Sequence, residues 1–374
     1  MKKVLAMLLC LTMIVSVVML AACQSDTKET TAAPAETTKA PESEETTKAP
    51  DGEETTAPAG GDSYTIATCV KLIGIGWFDR MDTGIKEFAD ETGHETFLVG
   101  PPQADAALQN QILEDLISQG VDAISVVPFS PEACEPVLKK AMEAGIVVIS
   151  HEADNLVNVD FDIEAFDNYA YGAELMKLLA EAMNYEGKYA TTVGSVTSKS
   201  QNQWEEGGVT YQEENYPDME LVERKLETYD EQKNSEEIMT QLLTKYPDLK
   251  GFQGATSQDA PGAAQAVEKL GLTGKVFVVG TSMPSIASKQ MENGSLTAMG
   301  LWDPGIAGKA MDKLAVMCLD GQRDQIVEGL DLGYEGYDNL VYNQEKTEDK
   351  EKYLYGSAWI FITEAADMAN YPGL

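Results

Sequence analysis

YTIATCVKLIGIGWFDRMDTGIKEFADETG, residues 64–93, holds a β-rich run (Tyr64 to Val70), a lysine (Lys71), a glycine pair (Gly74, Gly76), two large aromatics (Trp77, Phe78) and then a helical pattern. A strand that passes through a short turn into a helix starts a βα unit. In open α/β sheets, ligands bind outside the carboxyl ends of the strands, so the turn from Lys71 to Phe78 is the first candidate working surface. The glycine pair begins like a dinucleotide fingerprint. Asp79 stands where the third glycine would be, however, and Trp77 and Phe78 would crowd a pyrophosphate.

Downstream the unit repeats. Strand-like runs at Glu95 to Val99, Asp122 to Val127 and Ile146 to Ser150 alternate with helical patterns. Leu108, Ile112 and Leu116, with Leu113 and Ile117 beside them, predict an apolar stripe on the second helix. Ser130-Pro131 marks the start of the third, as an N-cap followed by proline in the first turn. The rhythm breaks at NLVNVDFDIEAFD, residues 155–167, and restarts with a helix from Asn168 to Met183. A second series follows, with strands at Tyr189 to Gly194, Glu220 to Leu226, Gly251 to Gly254, Val276 to Val279 and Thr297 to Leu301. The helix after Ser200 is weakened by Gly207-Gly208, at about 1 kcal/mol per glycine. Ile306 to Leu319 reads as one more helix, and aromatic strand-like pieces lie around Tyr337 to Tyr342 and Tyr353 to Phe361. The fold class expected is α/β, with two Rossmann-like lobes of parallel sheet joined by more than one crossover.

Ahead of this body, Lys2 and Lys3 precede an apolar run from Val4 to Met19 that closes in Leu20-Ala21-Ala22-Cys23. A positive end, an apolar middle and small residues before a cut site make an export signal over residues 1–23. From residue 24 to 62 the chain turns to Thr, Glu, Ala and Pro, with ETTAAP, ETTKAP and ETTAP recurring. Such a composition buries nothing and reads as a disordered tether, reaching about 120 Å when extended at about 3.1 Å per residue.

The 374 residues carry a formal net charge of -35 with 43% apolar residues, which suits globular cores and argues against nucleic acid, whose phosphates need clustered Lys and Arg. Cys69, Cys134 and Cys318 stand far apart, without the spacing of a disulfide framework or a zinc site. With only His94 and His151 and no G-x-S-x-G elbow, no triad or metal cluster has supporting spacing, so no cofactor is expected. Asp160, Asp162 and Glu164 alternate along the break, but without the glycine turn of an EF-hand loop. Glu152 and Asp154 sit too close in one loop to flank a scissile glycosidic bond, so an enzyme is not expected.

The export segment resembles a bacterial lipobox, in which Cys23 would be lipidated and become the mature N-terminus. Beyond it, KLIGIGWF from Lys71, VDAISVVPFSPEACEPVLKKAMEAGIVVIS from Val121, QNQW from Gln201, YPDLKGF from Tyr246 and GLWD from Gly300 resemble the type I solute-binding proteins of ABC importers, in their autoinducer-2-binding and rhamnose-binding branch. The resemblance implies two lobes closing on a small neutral sugar or on autoinducer-2, and a monomer that delivers this ligand to a membrane permease. Its place would be the outer face of the cell membrane, held there by the lipid at Cys23. A membrane receptor kinase reading the closed form is the alternative. The resemblance also implies three crossings between lobes, near Ser150 to Asp167, Trp302 to Asp303 and Glu328 to Tyr334. It divides the chain into one lobe of residues 63–160 with 303–330 and another of 161–302 with 331–374.

Autoinducer-2 binders of this branch use a Lys after the first strand, an Asp after the fourth, an Asp-Gln pair before N-Q-W and a later Pro-x-Ala. The matching positions are Lys71, Glu152, Ser200 with Gln201, and Ala255 with Ser257. Lys71 and Gln201 keep the pattern, Glu152 lengthens the acid by a methylene, and Ser200 removes an ionised acceptor. Around them Asp154 shares the loop past the fourth strand, Trp77, Phe78 and Trp302 serve either as core or as stacking faces, and Asp303 either meets ligand or pairs with Arg80 in a salt bridge.

Overall fold

The computed structural model describes residues 63–374. The export signal, the tether and the lipidation at Cys23 lie outside the described residues. Within them, β1 (Thr65–Cys69), β2 (Glu95–Val99), β3 (Ala123–Val126), β4 (Val147–Ser150) and β5 (Phe161–Glu164) alternate with α1 (Gly76–Thr92), α2 (Ala106–Gln119) and α3 (Pro131–Glu143). The second series runs α4 (Asn168–Ala182), β6 (Gly187–Val193), α5 (Lys199–Asn215), β7 (Met219–Glu227), α6 (Gln232–Lys245), β8 (Leu249–Gly254), α7 (Asp259–Lys269), β9 (Phe277–Thr281), α8 (Pro284–Glu292) and β10 (Ala298–Leu301). After α9 (Pro304–Leu319) come the short strands β11 (Val341–Tyr342), β12 (Tyr353–Tyr355) and β13 (Ile360–Ile362).

Two sheets result. Strand order is β11-β12-β5-β4-β3-β1-β2 in one and β13-β10-β9-β8-β6-β7 in the other. Neighbours are parallel except for β11 against β12 and β13 against β10. Each series places its first strand between its second and third, so the order reverses beside β1 and again beside β6. At such a reversal the flanking helices leave on opposite faces, and a crevice opens at the carboxyl ends of the strands.

The boundaries between lobes differ from the sequence expectation. Phe161–Glu164 pairs in parallel with β4, so the first sheet extends past residue 160 and the chain crosses just before α4. The crossing at Trp302 to Asp303 stands where expected, between β10 of the second sheet and α9, which packs on α1, β3 and β4. Glu328 to Tyr334 is not a crossing. That segment folds back on itself through Gly329 N–H to Leu340 O (2.7 Å) and Leu332 N–H to Tyr337 O (2.9 Å), and the chain then lays β12 in parallel beside β5. The third crossing follows β12. Gly356 N–H donates to Glu164 O at 3.0 Å, and the chain then enters the second sheet as β13.

Two local expectations change for packing reasons. On α2 the buried face is Gln109, Leu113 and Leu116, while Leu108 is exposed. The Gln109 amide donates to Val127 O and accepts from Phe129 N–H, both at 2.9 Å, which ties the helix to the loop after β3 and sets its rotation. The α5 helix is unbroken through Gly207-Gly208 because α4 and α5 cross at backbone contact. A Cβ on Gly172 would lie 1.7 Å from Trp204 O, and one on Gly207 would lie 2.1 Å from Tyr169 O, so the glycines pay for their entropy in close approach. Cys69, Cys134 and Cys318 are buried and unpaired, each thiol pushed up to about 12 by burial.

Gly172→Ala is expected to lose at least about 1–3 kcal/mol of stability in urea unfolding, since the obstructing atom is backbone rather than a mobile side chain. Asp312 on α9 is fully buried, with one carboxyl oxygen accepting from Ser125 Oγ at 3.0 Å, and burial raises its pKa from 3.8 to about 8. The folded state therefore holds a proton that the unfolded chain releases between those values, and the associated stability, complete below pH 3.8, is lost as pH rises to about 8. Thermal unfolding across that range should fall with pH in the wild type and run flatter in Asp312→Asn.

Candidate functional site

The reversal points of the two sheets face each other across the lobes, and the residues that follow their strands converge there. Lys71 follows β1, Glu152 follows β4, Asp230 follows β7, Ala255, Thr256 and Ser257 follow β8, and Gln201 sits in the first turn of α5 after β6. With Ile75, Trp77, Phe78, Trp204, Thr281 and Trp302 they line a narrow cleft of about 20 Å³.

Electrostatics organise this cleft. The Lys71 ammonium, 4% exposed, donates to Glu152 Oε2 at 3.0 Å and stands 3.8 Å from Asp230 Oδ1 on the other lobe. Burial works against its charge, but Glu152 and Asp230 more than offset that, leaving its pKa above the usual lysine value. Glu152 and Asp230 have φ of 60° and 56°, a left-handed backbone that costs a residue with a side chain about 1–2 kcal/mol. Gln201 bridges the loops, its Oε1 accepting from Gly194 N–H at 2.8 Å and its Nε2 donating to Asp230 Oδ1 at 3.4 Å. Burial pushes the Asp230 carboxyl upward, and Lys71 only partly reverses the shift.

Behind the cleft, Asp259 gathers the strand ends of the second lobe. Its carboxylate accepts from the hydroxyls of Thr192 (2.8 Å), Thr228 (2.7 Å) and Thr256 (2.7 Å) and from the N–H groups of Ala255 and Thr256 (both 3.1 Å). One buried acid thus ties the carboxyl end of β6 to the loops after β7 and β8. The walls are aromatic: Trp302 meets Trp77 edge-on at 4.6 Å between ring centroids and Trp204 at 5.4 Å. Trp302 Nε1 is buried without a hydrogen-bond partner, as is Asp230 Oδ2.

Of the residues singled out in the sequence, Lys71, Trp77, Phe78, Glu152, Gln201, Ala255, Ser257 and Trp302 line the cleft together. Ser200, Asp154 and Asp303 do not. Ser200 is turned behind it, its Oγ donating to Glu164 at 3.3 and 3.4 Å. Asp154 is buried in a separate polar contact between lobes, accepting from Gln203 Nε2 (2.9 Å) and Asn343 Nδ2 (3.0 Å). Asp303 caps α9 through Gly305 N–H and pairs with Arg80 Nη2, each at 2.7 Å, so the salt-bridge reading of Arg80 and Asp303 holds.

Asp303 lines a second, larger and open groove of about 890 Å³, built from α1, the linking segments and residues 370–374. Its size does not make it the site. Arg80 and Asp303 there already satisfy each other, whereas the smaller cleft concentrates buried charge and unpartnered polar atoms. Ile75, Trp204, Asp230, Thr256 and Thr281 line the cleft without having been singled out in the sequence. For Asp230 the signal existed: it lies just past a strand's carboxyl end, the same position that singled out Glu152.

Residues 66–323 match the sequence profile of the periplasmic binding protein domain. The D-allose-binding periplasmic protein of Escherichia coli (strain K12) is 28% identical over 248 residues, covering 64% of this chain and 79% of that one. Among solved structures, LsrB from Clostridium saccharobutylicum in complex with AI-2 superposes with a TM-score of 0.75 at 21% identity, covering 82% of this chain and 99% of that one. An ABC transporter solute-binding protein from Clostridium phytofermentas with bound L-rhamnose does so with a TM-score of 0.71 at 22% identity, covering 83% and 99%. The two-lobed α/β fold of these structures is the fold of this chain.

Removing Lys71 strands a buried carboxylate. Lys71→Ala is expected to cost about 3–5 kcal/mol in urea unfolding, and Lys71→Met combined with Glu152→Leu to regain most of it. Equal stability of Lys71→Ala and wild type would contradict the buried pair.

Proposed function

We propose, from the premise that this chain belongs to the periplasmic binding protein domain family, that it captures a small polyhydroxy ligand between its lobes and delivers it to the permease of an ABC importer. It is a binding protein, not an enzyme. The ligand class is a small sugar or sugar-like signal, a rhamnose-like monosaccharide or autoinducer-2, in keeping with the D-allose, AI-2 and L-rhamnose named for its relatives. Cys23 would carry the lipid and residues 24–62 the tether, holding a monomeric body at the outer face of the membrane. Among the described residues no helix is long and apolar enough to cross a membrane.

One observation carries the ligand reading. A buried acceptor, Asp230 Oδ2, and a buried donor, Trp302 Nε1, both lack partners and belong to residues lining the same aromatic-walled cleft. Buried polar atoms are rarely left unpaired, and a sugar offers both a donor and an acceptor at each hydroxyl and an apolar C–H face for tryptophan. Lys71, Glu152 and Gln201 supply further edges, and the lobes supply closure about the three crossings.

Isothermal calorimetry with D-ribose, L-rhamnose, D-allose and autoinducer-2 should reveal saturable one-to-one binding of at least one of them. Lys71→Ala and Gln201→Ala should each weaken that binding by roughly tenfold to over a hundredfold, the range for losing a hydrogen bond to a charged group. Absence of heat with every compound, or variants that bind as wild type does, would overturn the reading.

A further inference from the structure

The charges lining the cleft do not balance. Its lining holds one ammonium, Lys71, against two carboxylates, Glu152 and Asp230. Lys71 is committed to Glu152 at 3.0 Å and reaches Asp230 only at 3.8 Å. The nearby Asp259 brings no cation, and its own oxygens are saturated by the threonine hydroxyls and backbone N–H groups described above. Asp230 is thus the underserved group. Its Oδ1 has only the long bond from Gln201 Nε2 at 3.4 Å besides the Lys71 contact, and its Oδ2 has no partner although the residue is 5% exposed.

The surroundings hold this carboxylate in place rather than relieve it. Tyr229 and Asp230 both adopt left-handed backbone, with φ of 57° and 56°. Gly194 leaves space beneath it, since a Cβ there would lie 2.4 Å from Asp230 Oδ2. The indole and phenyl rings of Trp77, Phe78, Trp204 and Trp302 complete the lining, and aromatic faces attract cations. A hydroxyl group would give Asp230 a hydrogen bond but leave the excess charge, whereas an ammonium gives both donor and charge. A carboxylate or phosphate on the ligand would add to the excess.

We propose that this cleft takes an amino sugar in preference to the corresponding hydroxy sugar, with the protonated amine seated on Asp230. The proposal rests on the reading of the cleft as a site for a polyhydroxy ligand and narrows it to a chemical class. Asp230 is then the residue that sets specificity between amine and hydroxyl.

Calorimetry at pH 7 on the wild-type protein tests this with D-glucosamine, D-galactosamine and the 3-amino, 4-amino and 6-amino deoxyglucoses, each against its parent hexose, with D-glucuronate as the anionic counterpart. At least one amine should bind about tenfold or more tighter than its parent, the margin expected when a neutral hydrogen bond becomes charge-assisted, and glucuronate should not bind. Asp230→Asn should bring the ratio of amine to parent close to one. The wild-type ratios stand alone if that variant does not fold. If parent sugars bind and no amine exceeds its parent, the inference is wrong while the binding function stands. Uptake of a proton with the parent sugars, read from two buffers of different ionisation enthalpy, would also overturn it, because a proton would then be balancing Asp230. If nothing in the panel nor any of the neutral sugars binds, the function itself fails.

Discussion

An ammonium taken out of water needs counter-charges, and the site is arranged around meeting that need for Lys71. Its nearer partner, Glu152, comes from the same lobe, and its farther one, Asp230, from the opposite lobe. The cation therefore couples the two halves electrostatically at the place where their sheets reverse strand order. Each partner sits in a left-handed backbone conformation, so the cleft holds strain that the rigid strands on either side must over-determine.

The two lobes answer this demand by different means. In the first, Lys71 and Glu152 project straight from the ends of parallel strands buried on both faces. In the second, the strand ends are fixed by a single acid, Asp259 at the start of α7, whose five hydrogen-bond donors come from the carboxyl end of β6 and from the loops after β7 and β8. Glycine contacts between α4 and α5 bring the backbone of α5 close enough for Gln201 to reach both Gly194 and Asp230. Polar geometry at the cleft thus depends on steric economy well behind it.

The acid groups outside the cleft form a second polar layer between the lobes. Asp154 and Glu164 of the first lobe meet Gln203 and Ser200 on the first turns of α5. These contacts explain why two residues with plausible ligand-binding chemistry face elsewhere. Both sit within a few residues of true cleft residues, Glu152 and Gln201, and side chains so close in sequence point in different directions on a turn and on a helix.

What the sequence determined by itself was the alternation of strands and helices, because hydrophobic periodicity is local, and with it the rule that polar residues just past strand ends are the ones to watch. Lys71, Glu152, Gln201, Ala255 and Ser257 follow from that rule and from the family resemblance, and the structure gathers them. Only the tertiary structure decided that Phe161–Glu164 and Tyr353–Tyr355 pair within the first sheet, since a strand's partner far away in sequence leaves no local pattern. It likewise decided that Asp230 faces the cleft while Ser200, Asp154 and Asp303 turn to other partners. Burial, strand pairing and the meeting of two lobes choose among chemically equivalent side chains, and those are properties of the whole chain folded on itself.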